Sequence, residues 1–300
     1  MSNFKVWISS FRLRTLPLSI SGILIGSAFA FANEYFNITI FIFALLTTIS
    51  LQILSNLAND YGDGVKGTDS NNRIGPERAI QSGLISPKQM KNAIIINIII
   101  LIILIIILLN NSFELSEYFK LLSFFLLGFI SIYAAIKYTV GNNAYGYYAL
   151  GDIFVLFFFG FLSTMGSYYL YSKSLDLILV LPSLCVGLLS VAVINLNNMR
   201  DLVSDKVSNK ITIAGKLGFD NSKKYHYLIL VSSIIFSLIF VLFFYYKPIS
   251  IILAITYIPI VIHLRKVYLI SKPKHYNEEL KKVAISTFIF SLFLSLIIIM

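Results

Sequence analysis

The chain has 300 residues, of which 57% are hydrophobic and only 13% are charged, and its mean hydropathy is +0.83. An ordinary soluble domain carries about 25% charged residues and a disordered chain has low hydrophobicity, so both classes are excluded. The composition predicts a polytopic membrane protein with a single domain over residues 1–300. The one cysteine excludes a disulfide framework, and the three histidines share no helical spacing, which argues against a metal held by histidine.

Nine stretches without Asp, Glu, Lys or Arg are candidates for membrane-spanning helices, because about 20 apolar residues cross the hydrocarbon core. In chain order they are 15–33, 35–59, 92–113, 121–136, 153–172, 177–199, 225–246, 248–264 and 283–300. A further charge-free stretch, 138–151, is rich in Gly, Asn and Tyr and is interpreted as an interfacial loop. The predicted fold is therefore an all-α integral membrane bundle of nine helices.

Lys and Arg are distributed unevenly between the two sides that nine spans define. The side that receives residues 1–14, 60–91, 137–152, 200–224 and 265–282 holds 21 of the 24 Lys and Arg residues. Cytoplasmic loops carry such an excess, so this side and the N-terminus are predicted to be cytoplasmic, with the C-terminus on the outer side of the cell membrane. Topology thus accounts for the net charge of +10, and no nucleic-acid partner is expected.

Acidic residues concentrate in two long loops on the predicted cytoplasmic side, where acids at the mouths of helices indicate a cation site. The first group follows the second span: if that helix continues, Asn59 and Asp63 share a face at i,i+4, and Asp60 joins Asp63 at i,i+3. The second group follows the sixth span, where Asp201 and Asp205 repeat the i,i+4 spacing. Because both helix ends lie on the same side, we expect the two groups to face each other across a cavity.

The ligand types in these two groups favour magnesium. Oxygen ligands without Cys or His suit Mg²⁺ or Ca²⁺ better than zinc, and Mg²⁺ commonly binds one or two carboxylates together with substrate phosphates. Basic residues interleaved with the acids fit a metal-bridged diphosphate. The candidates for contacting the substrate here are Lys66, Arg73, Arg78, Asn197, Arg200 and Lys210. Arg200 has the alternative of pairing with a neighbouring aspartate for structural reasons, and any single aspartate has the alternative of capping a helix.

Three runs of residues around these groups resemble the UbiA superfamily of intramembrane prenyltransferases. They are NDYGDGVKGTD with the following RIGPERAIQSG, then YTVGNNAYGYYALGDIFV, and then NLNNMRDLVSDKVSNKITIAGKLG. Within the superfamily they are most similar to the branch that prenylates 1,4-dihydroxy-2-naphthoate in menaquinone synthesis, as is the N-terminal WISSFRLRTLPLSISG. The resemblance runs from Trp7 to Gly218, and the last three helices fit in number only.

The first motif of the family is usually NDxxDxxxD. Asn59, Asp60 and Asp63 match it, whereas Gly67 takes the last position and the next acid is Asp69. The naphthoate branch is similar in this respect, so the departure agrees with that branch.

The resemblance implies a bundle of nine transmembrane helices around a central cavity that is open sideways to lipid, with active-site loops after helices 2 and 6. It also implies two Mg²⁺ ions that hold the diphosphate of a polyprenyl donor, and the ligands it implies are Asn59, Asp60, Asp63, Asp201 and Asp205. Tyr138 lies where relatives carry a tyrosine near the reactive carbon. The implied reaction transfers the polyprenyl group to 1,4-dihydroxy-2-naphthoate, with loss of CO₂ and diphosphate, and gives demethylmenaquinone.

Further residues are candidates for contacting the substrates. Arg14 and Lys137 are candidates for holding the carboxylate of the acceptor, although both cations also serve topology. Tyr145 and Tyr147 are candidates for shielding an allylic cation, because aromatic faces stabilise cations. Asp152 begins the fifth span, where capping the helix is the alternative to a role in the active site.

Two alternative functions stay open at this point. One is prenyl transfer to a different aromatic acid, of the 4-hydroxybenzoate or homogentisate type. The other, from a different class, is a cation-coupled membrane transporter, which would place acids near mid-membrane in helices broken at mid-span. A phosphatidyltransferase of the CDP-alcohol type is excluded, because Asp63-Gly64 is followed by Val, Lys and Gly in place of the DGxxAR element.

Overall fold

The computed structural model describes residues 3–68 and 74–300 of the chain. Over these ranges nine helices are long and apolar enough to cross a membrane, so the predicted all-α architecture is confirmed. In chain order they are α1 (Phe4–Ala32), α2 (Ile38–Lys66), α3 (Pro87–Ser112), α4 (Leu115–Lys137), α5 (Gly151–Ser172), α6 (Leu177–Arg200), α7 (Ile213–Phe244), α8 (Pro248–Leu269) and α9 (Pro273–Ile299). Arg73, a candidate for contacting the substrate, and Asp69 lie outside the described residues.

Several helices are longer than the charge-free stretches, chiefly at the end of the bundle where α2 and α6 terminate, which we name the motif end. Helix α2 continues beyond residue 59 to Lys66, and Gly67 ends it with φ at +72°. Helix α7 begins at Ile213 instead of 225 and is kinked at Gly218, whose φ is +74°. At its start the Thr212 side chain accepts a hydrogen bond from the backbone N of Gly215 at 3.0 Å. Charged turns outside the hydrocarbon region remain helical, so a search for charge-free residues underestimates helix length there.

Helix α5 packs closely on two neighbours through small residues. A Cβ atom added to Gly26 of α1 would lie 2.4 Å from the carbonyl oxygen of Thr164. Likewise, a Cβ atom on Gly160 would lie 2.6 Å from the carbonyl oxygen of Ser183 in α6. Small residues are common at interfaces between membrane helices because they let the backbones approach each other. These contacts hold α5 between α1 and α6, and the central part of α5, Leu156–Gly166, is a π-helix.

A buried row of polar side chains joins α6, α7, α8 and α9. The Nε2 atoms of His226 and His263 lie 2.8 Å apart, and Nδ1 of His263 lies 2.6 Å from Oε2 of Glu279. At the other end of the row, Nδ2 of Asn195 lies 3.4 Å from Nδ1 of His226 and 3.2 Å from the carbonyl oxygen of Ser222. The four side chains are at most 3% exposed, so the row ties the last three helices to α6 inside the bundle.

Candidate active site

A cavity of about 610 Å³ lies inside the bundle, lined by residues of α1 to α6 and of α9. Along α2 it reaches from Ala44 to Asp63, which corresponds to ~28 Å of helix at ~1.5 Å per residue. At the motif end the lining includes the polar residues Arg14, Asn59, Asp63, Arg78, Asn197, Arg200 and Lys210. The lining toward the opposite end includes the apolar residues Ile105, Leu108, Leu109, Phe124, Leu127 and Leu170. A cavity of this form suits a molecule with a charged head and a long apolar tail.

Two donors from different parts of the chain hold Asp63. Its Oδ2 accepts a hydrogen bond from Nη1 of Arg78 at 2.8 Å, and its Oδ1 accepts one from the hydroxyl of Tyr147 at 2.9 Å. Asp60 accepts a bond through Oδ2 from the backbone N of Ala79 at 3.3 Å. Both carboxylates are only 2% exposed, so these donors compensate for much of the water that each has lost.

Arg200 organises the second acidic group. Its side chain is 2% exposed and pairs with Asp201 through two hydrogen bonds of 2.8 and 2.6 Å. Its guanidinium also donates to the side-chain oxygens of Asn197 at 2.7 Å and Asn277 at 2.8 Å. Because Asn277 belongs to α9, this arginine joins α6 to α9 at the motif end. The geometry therefore agrees with the alternative role of Arg200 as the structural partner of a neighbouring aspartate.

Lys210 places a cation between the two acidic groups. Its ammonium lies 3.5 Å from Oδ1 of Asp205, and its backbone N donates to the carbonyl oxygen of Asp205 at 2.8 Å. Burial acts to lower the pKa of Lys210, but the negative charges of Asp63 and Asp205 outweigh burial and raise that pKa above its ordinary value. Burial raises the pKa of Asp205 to about 6. The ammonium of Lys210 thus lies on the cavity wall, where the two carboxylates favour its charged form.

The loop that follows α4 contacts the first acidic group and the residues that follow the second. A Cβ atom on Gly62 would lie 2.8 Å from the carbonyl oxygen of Thr139, so only glycine allows this approach of the loop to α2. Farther along the loop, the carbonyl oxygen of Tyr147 accepts a hydrogen bond from the backbone N of Ile211 at 3.2 Å. Since the hydroxyl of Tyr147 also reaches Asp63, this loop connects the end of α2 to the residues that follow the second acidic group.

Aromatic rings form part of the wall next to the acidic groups. Tyr138 and Tyr145 both line the cavity, with ring centroids 5.4 Å apart in an edge-to-face arrangement. Tyr145 stacks on Phe154 with centroids 4.0 Å apart, and its hydroxyl donates to the carbonyl oxygen of Ala134 at 2.9 Å. Burial raises the pKa of Tyr138 to about 12, so its hydroxyl stays protonated at neutral pH.

The predicted site residues divide between the cavity lining and the layer behind it. Those that line the cavity are Arg14, Asn59, Asp63, Arg78, Tyr138, Tyr145, Asn197, Arg200 and Lys210. Those that are not part of its lining are Asp60, Lys66, Lys137, Asp152, Asp201 and Asp205. Asp152 instead accepts a hydrogen bond from the hydroxyl of Tyr225 at 3.0 Å. Helix α5 has Leu150 at its N-cap position, so the expectation that Asp152 caps this helix is wrong.

Sequence reasoning missed several residues of the site, among them Asn277 and Gln52, and it missed the contact that Tyr147 makes. Nothing in the sequence around Asn277 indicated a role in the site, because this residue reaches Arg200 from a helix far along the chain. Gln52 lines the cavity and donates to the hydroxyl of Thr15 at 3.2 Å, but it stands alone in an apolar span. Tyr147 was expected to shield a cation, whereas its hydroxyl holds Asp63. The sequence feature that pointed to Tyr147 was its position in the tyrosine-rich stretch 138–151.

The oxygen atoms at the motif end fit a hard divalent cation. In the described part of the chain, the buried side-chain oxygens without a hydrogen-bond partner at this end include Oδ1 of Asn59, Oδ1 of Asp60 and Oδ2 of Asp205, as well as Oδ1 of Asn198. A buried acceptor left without a donor costs about 1–3 kcal/mol, and Mg²⁺ binds oxygens of this kind. Within the described residues, no three side chains of Asp, Glu, His or Cys are grouped closely enough to hold one ion. An ion here would therefore need further oxygen ligands, such as substrate phosphates.

Replacing Tyr147 by Phe is expected to destabilise the motif end, because Oδ1 of the buried Asp63 then loses its donor. A hydrogen bond to a charged group contributes about 1.5–3 kcal/mol. The measurement is the midpoint of thermal unfolding of the purified protein in detergent, which should fall below that of the wild type. Tyr148→Phe is the matched control, since Tyr148 is 53% exposed. Equal midpoints for the two variants would contradict the prediction.

Comparisons with known proteins complete the description of the site. The 1,4-dihydroxy-2-naphthoate octaprenyltransferase of Escherichia coli (strain K12) is 44% identical over 243 residues, which cover 81% of this chain and 78% of that relative. A solved UbiA homologue from Aeropyrum pernix K1 has a TM-score of 0.68 at 14% identity and is covered over 97% of both chains. A UbiA homologue from Archaeoglobus fulgidus, solved with bound GPP and Mg²⁺, has a TM-score of 0.64 at 14% identity over 97% of this chain and 99% of that one. Residues 19–297 match the UbiA prenyltransferase family, and the chain belongs to this family.

Proposed function

We propose that the protein transfers a polyprenyl group from a polyprenyl diphosphate to 1,4-dihydroxy-2-naphthoate, with loss of CO₂ and diphosphate, to give the reduced, quinol form of demethylmenaquinone. The observation that carries this proposal is the 44% identity, over 81% of the chain, to the naphthoate octaprenyltransferase of Escherichia coli. The cavity supports it, because its charged and apolar ends match a diphosphate with a long tail. Membership in a prenyltransferase family favours this enzyme over the transporter considered from the sequence.

The diphosphate of the donor binds at the motif end in this proposal. Arg78 and Lys210 present cations on the cavity wall, and charge-assisted hydrogen bonds from such groups to phosphate oxygens are strong. Arg200 keeps its bidentate pair with Asp201 and so supports the second acidic group. The tail lies along the apolar part of the cavity, where each buried CH₂ contributes about 0.8 kcal/mol.

The magnesium ligands we propose are oxygen atoms of the two acidic groups. They are Asn59, Asp60, Asp63, Asp201 and Asp205, and the unpaired oxygens of three of them support the assignment. When bound, Mg²⁺ supplies positive charge that stabilises the departing diphosphate. The Mg²⁺ in the Archaeoglobus fulgidus homologue with GPP supports the same requirement here.

Cleavage of the allylic C–O bond sends the bonding electrons to the diphosphate oxygen and leaves an allylic cation. Water would convert this cation to an alcohol, so the apolar lining has to exclude water from it. The neutral ring of Tyr138 is the proposed partner of the cation, and an aromatic face contributes about 0.5–2 kcal/mol to such a contact. Tyr145, edge to face with Tyr138, extends the aromatic wall.

The acceptor is an electron-rich ring that needs no nucleophile from the protein. The ring carbon that bears the carboxylate attacks the allylic cation and forms the new C–C bond. CO₂ then leaves as the electrons of its bond return to the ring, so no proton has to be removed at that carbon. Arg14 is the proposed partner of the carboxylate because it lines the cavity, whereas Lys137 does not.

We place the motif end on the cytoplasmic side of the cell membrane and the C-terminus on the outer side. The nine spans found in the described residues and the family make the chain an integral membrane protein. The excess of Lys and Arg, 21 of 24 residues on the side of the motif end, supports this orientation. The donor tail then stays in the bilayer while the diphosphate leaves toward the cytoplasm.

The experiment gives membranes that contain the protein a labelled polyprenyl diphosphate, Mg²⁺ and one acceptor: 1,4-dihydroxy-2-naphthoate, 4-hydroxybenzoate or homogentisate. We expect a prenylated product and release of carboxyl-labelled CO₂ with the naphthoate, and we expect EDTA to stop both. Membranes without the protein and membranes with a known active enzyme are the controls. Product from either of the other acids alone would assign the activity to that acid, and no product from any acceptor would end the proposal.

A further inference from the structure

Three aromatic rings pack together at the end of the cavity that lies opposite the motif end. The ring centroids of Phe113 and Phe124 are 5.3 Å apart, and Tyr169 stacks on Phe124 with centroids 5.2 Å apart and 21° between the planes. Phe113 and Tyr169 are 6.3 Å apart, so the three rings form one cluster. Of these rings in the described structure, Phe124 alone lines the cavity, and the other two lie behind it.

The cluster joins three helices and is in contact with a neighbouring lysine. Phe113 follows the last residue of α3, Phe124 belongs to α4, and Tyr169 belongs to α5. The ammonium of Lys173 lies 4.5 Å from the centre of the Phe113 ring and donates a hydrogen bond to the carbonyl oxygen of Leu170. Phe113 and Tyr169 thus hold the ring of Phe124, and the cavity cannot lengthen on the side of this ring without displacing packed rings.

We propose that Phe124 sets the longest prenyl tail that the cavity accommodates and is therefore a specificity-determining residue for the donor. The inference rests on the proposed function, in which the diphosphate occupies the motif end and the tail extends along α2 toward the rings. A tail that is too long to end at Phe124 must fold back or leave between helices, and it loses buried contacts. A short tail does not reach Phe124, so its transfer does not depend on this residue.

Two substitutions at this position change the cavity in opposite directions. Phe124→Ala removes the ring and opens the space in front of Tyr169, whereas Phe124→Trp adds volume. Phe125→Ala is the matched control, because Phe125 is the adjacent residue, packs against Phe129 with centroids 4.8 Å apart and does not line the cavity. General loss of folding would lower activity with every donor and cannot produce opposite shifts.

The experiment measures kcat/KM with geranyl, farnesyl, geranylgeranyl and octaprenyl diphosphate, each with 1,4-dihydroxy-2-naphthoate and Mg²⁺. The readout is the ratio of kcat/KM for octaprenyl to that for geranyl diphosphate in the wild type and the three variants. We expect Phe124→Ala to raise this ratio about tenfold, the scale on which a hydrophobic pocket separates ligands of different size. Phe124→Trp should lower the ratio, and Phe125→Ala should leave it unchanged.

An identical ratio in the wild type and both Phe124 variants would overturn the inference while leaving the proposed function intact. Loss of activity with geranyl diphosphate in both variants would also overturn it, because the shortest tail is not expected to reach Phe124. Absence of turnover by the wild type with all four donors would instead contradict the proposed function.

Discussion

Replacement of Asp63 by Asn is expected to lower the rate of prenyl transfer by at least about a hundredfold, the scale on which removing one stabiliser of developing charge acts. Among the described residues, Asp63 is the one aspartate of the two acidic groups that lines the cavity. Its oxygens also hold Arg78 and Tyr147. Asparagine keeps the size of the side chain but loses the negative charge that both Arg78 and a divalent cation require.

The measurement is the initial rate with labelled donor in membranes, normalised to the amount of protein that elutes as a single folded species in detergent. Asp220→Asn is the control, because Asp220 is exposed, lies near the start of α7 and is not part of the cavity lining. If Asp63→Asn were as active as this control, Asp63 would have no role as a metal ligand.

Replacement of Arg200 by Ala is expected to lower the free energy of unfolding by about 3–5 kcal/mol, the usual result of leaving a buried charge without its partner. Asp201 then stays buried without the two bonds that now compensate for its charge, and Asn277 loses its donor from α6. The contact between α6 and α9 at the motif end weakens, so prenyl transfer should fall as well.

Unfolding by denaturant in detergent measures this loss, with Arg265→Ala, an exposed arginine of α8, as the control. The double variant Arg200→Leu with Asp201→Leu should recover part of the stability, because removing both partners of a buried pair is close to neutral, whereas Asn197 and Asn277 still lack their donor. It should not recover activity. Equal stability of Arg200→Ala and the control would show that Asp201 does not depend on Arg200.

The helices could be predicted because hydrocarbon imposes a length and a composition on every span. All nine charge-free stretches correspond to helices of the structure. Asn59 and Asp63 also lie on one helix at the predicted i,i+4 spacing, because α2 continues through both residues to Lys66. Helix ends could not be placed, since a charged turn outside the bilayer is equally compatible with helix and loop.

The partners of the acidic residues could not be predicted, because they come from distant parts of the chain. Arg78 reaches Asp63 across the loop between α2 and α3, and Asn277 reaches Arg200 from the last helix. Local periodicity carries no information on such pairs. For the same reason the lack of shared spacing between the histidines did not reveal that His226 meets His263.

The location of the cavity explains why the motif resemblance ended at Gly218. In the described structure, α7 and α8 contribute nothing to the cavity lining, and α9 contributes only residues 277–284 near its first turns. Helices that only pack need apolar side chains of suitable size, and many sequences satisfy that requirement. The family match nevertheless extends to residue 297, so these helices belong to the same domain architecture.

The facing histidines of α7 and α8 leave one arrangement of their hydrogen atoms. The amide nitrogen of Asn195 donates to the carbonyl oxygen of Ser222, so the same nitrogen faces Nδ1 of His226 as a donor. His226 is then the Nε2–H tautomer and donates to His263, which carries its own hydrogen on Nδ1 toward Glu279. In this arrangement the hydrogen that each imidazole directs along the row is on Nε2 of His226 and on Nδ1 of His263. Asn195→Asp would replace the first donor by an acceptor and would therefore reverse the hydrogen bond between the two imidazoles, whereas the carboxylate of Glu279 would still accept from Nδ1 of His263.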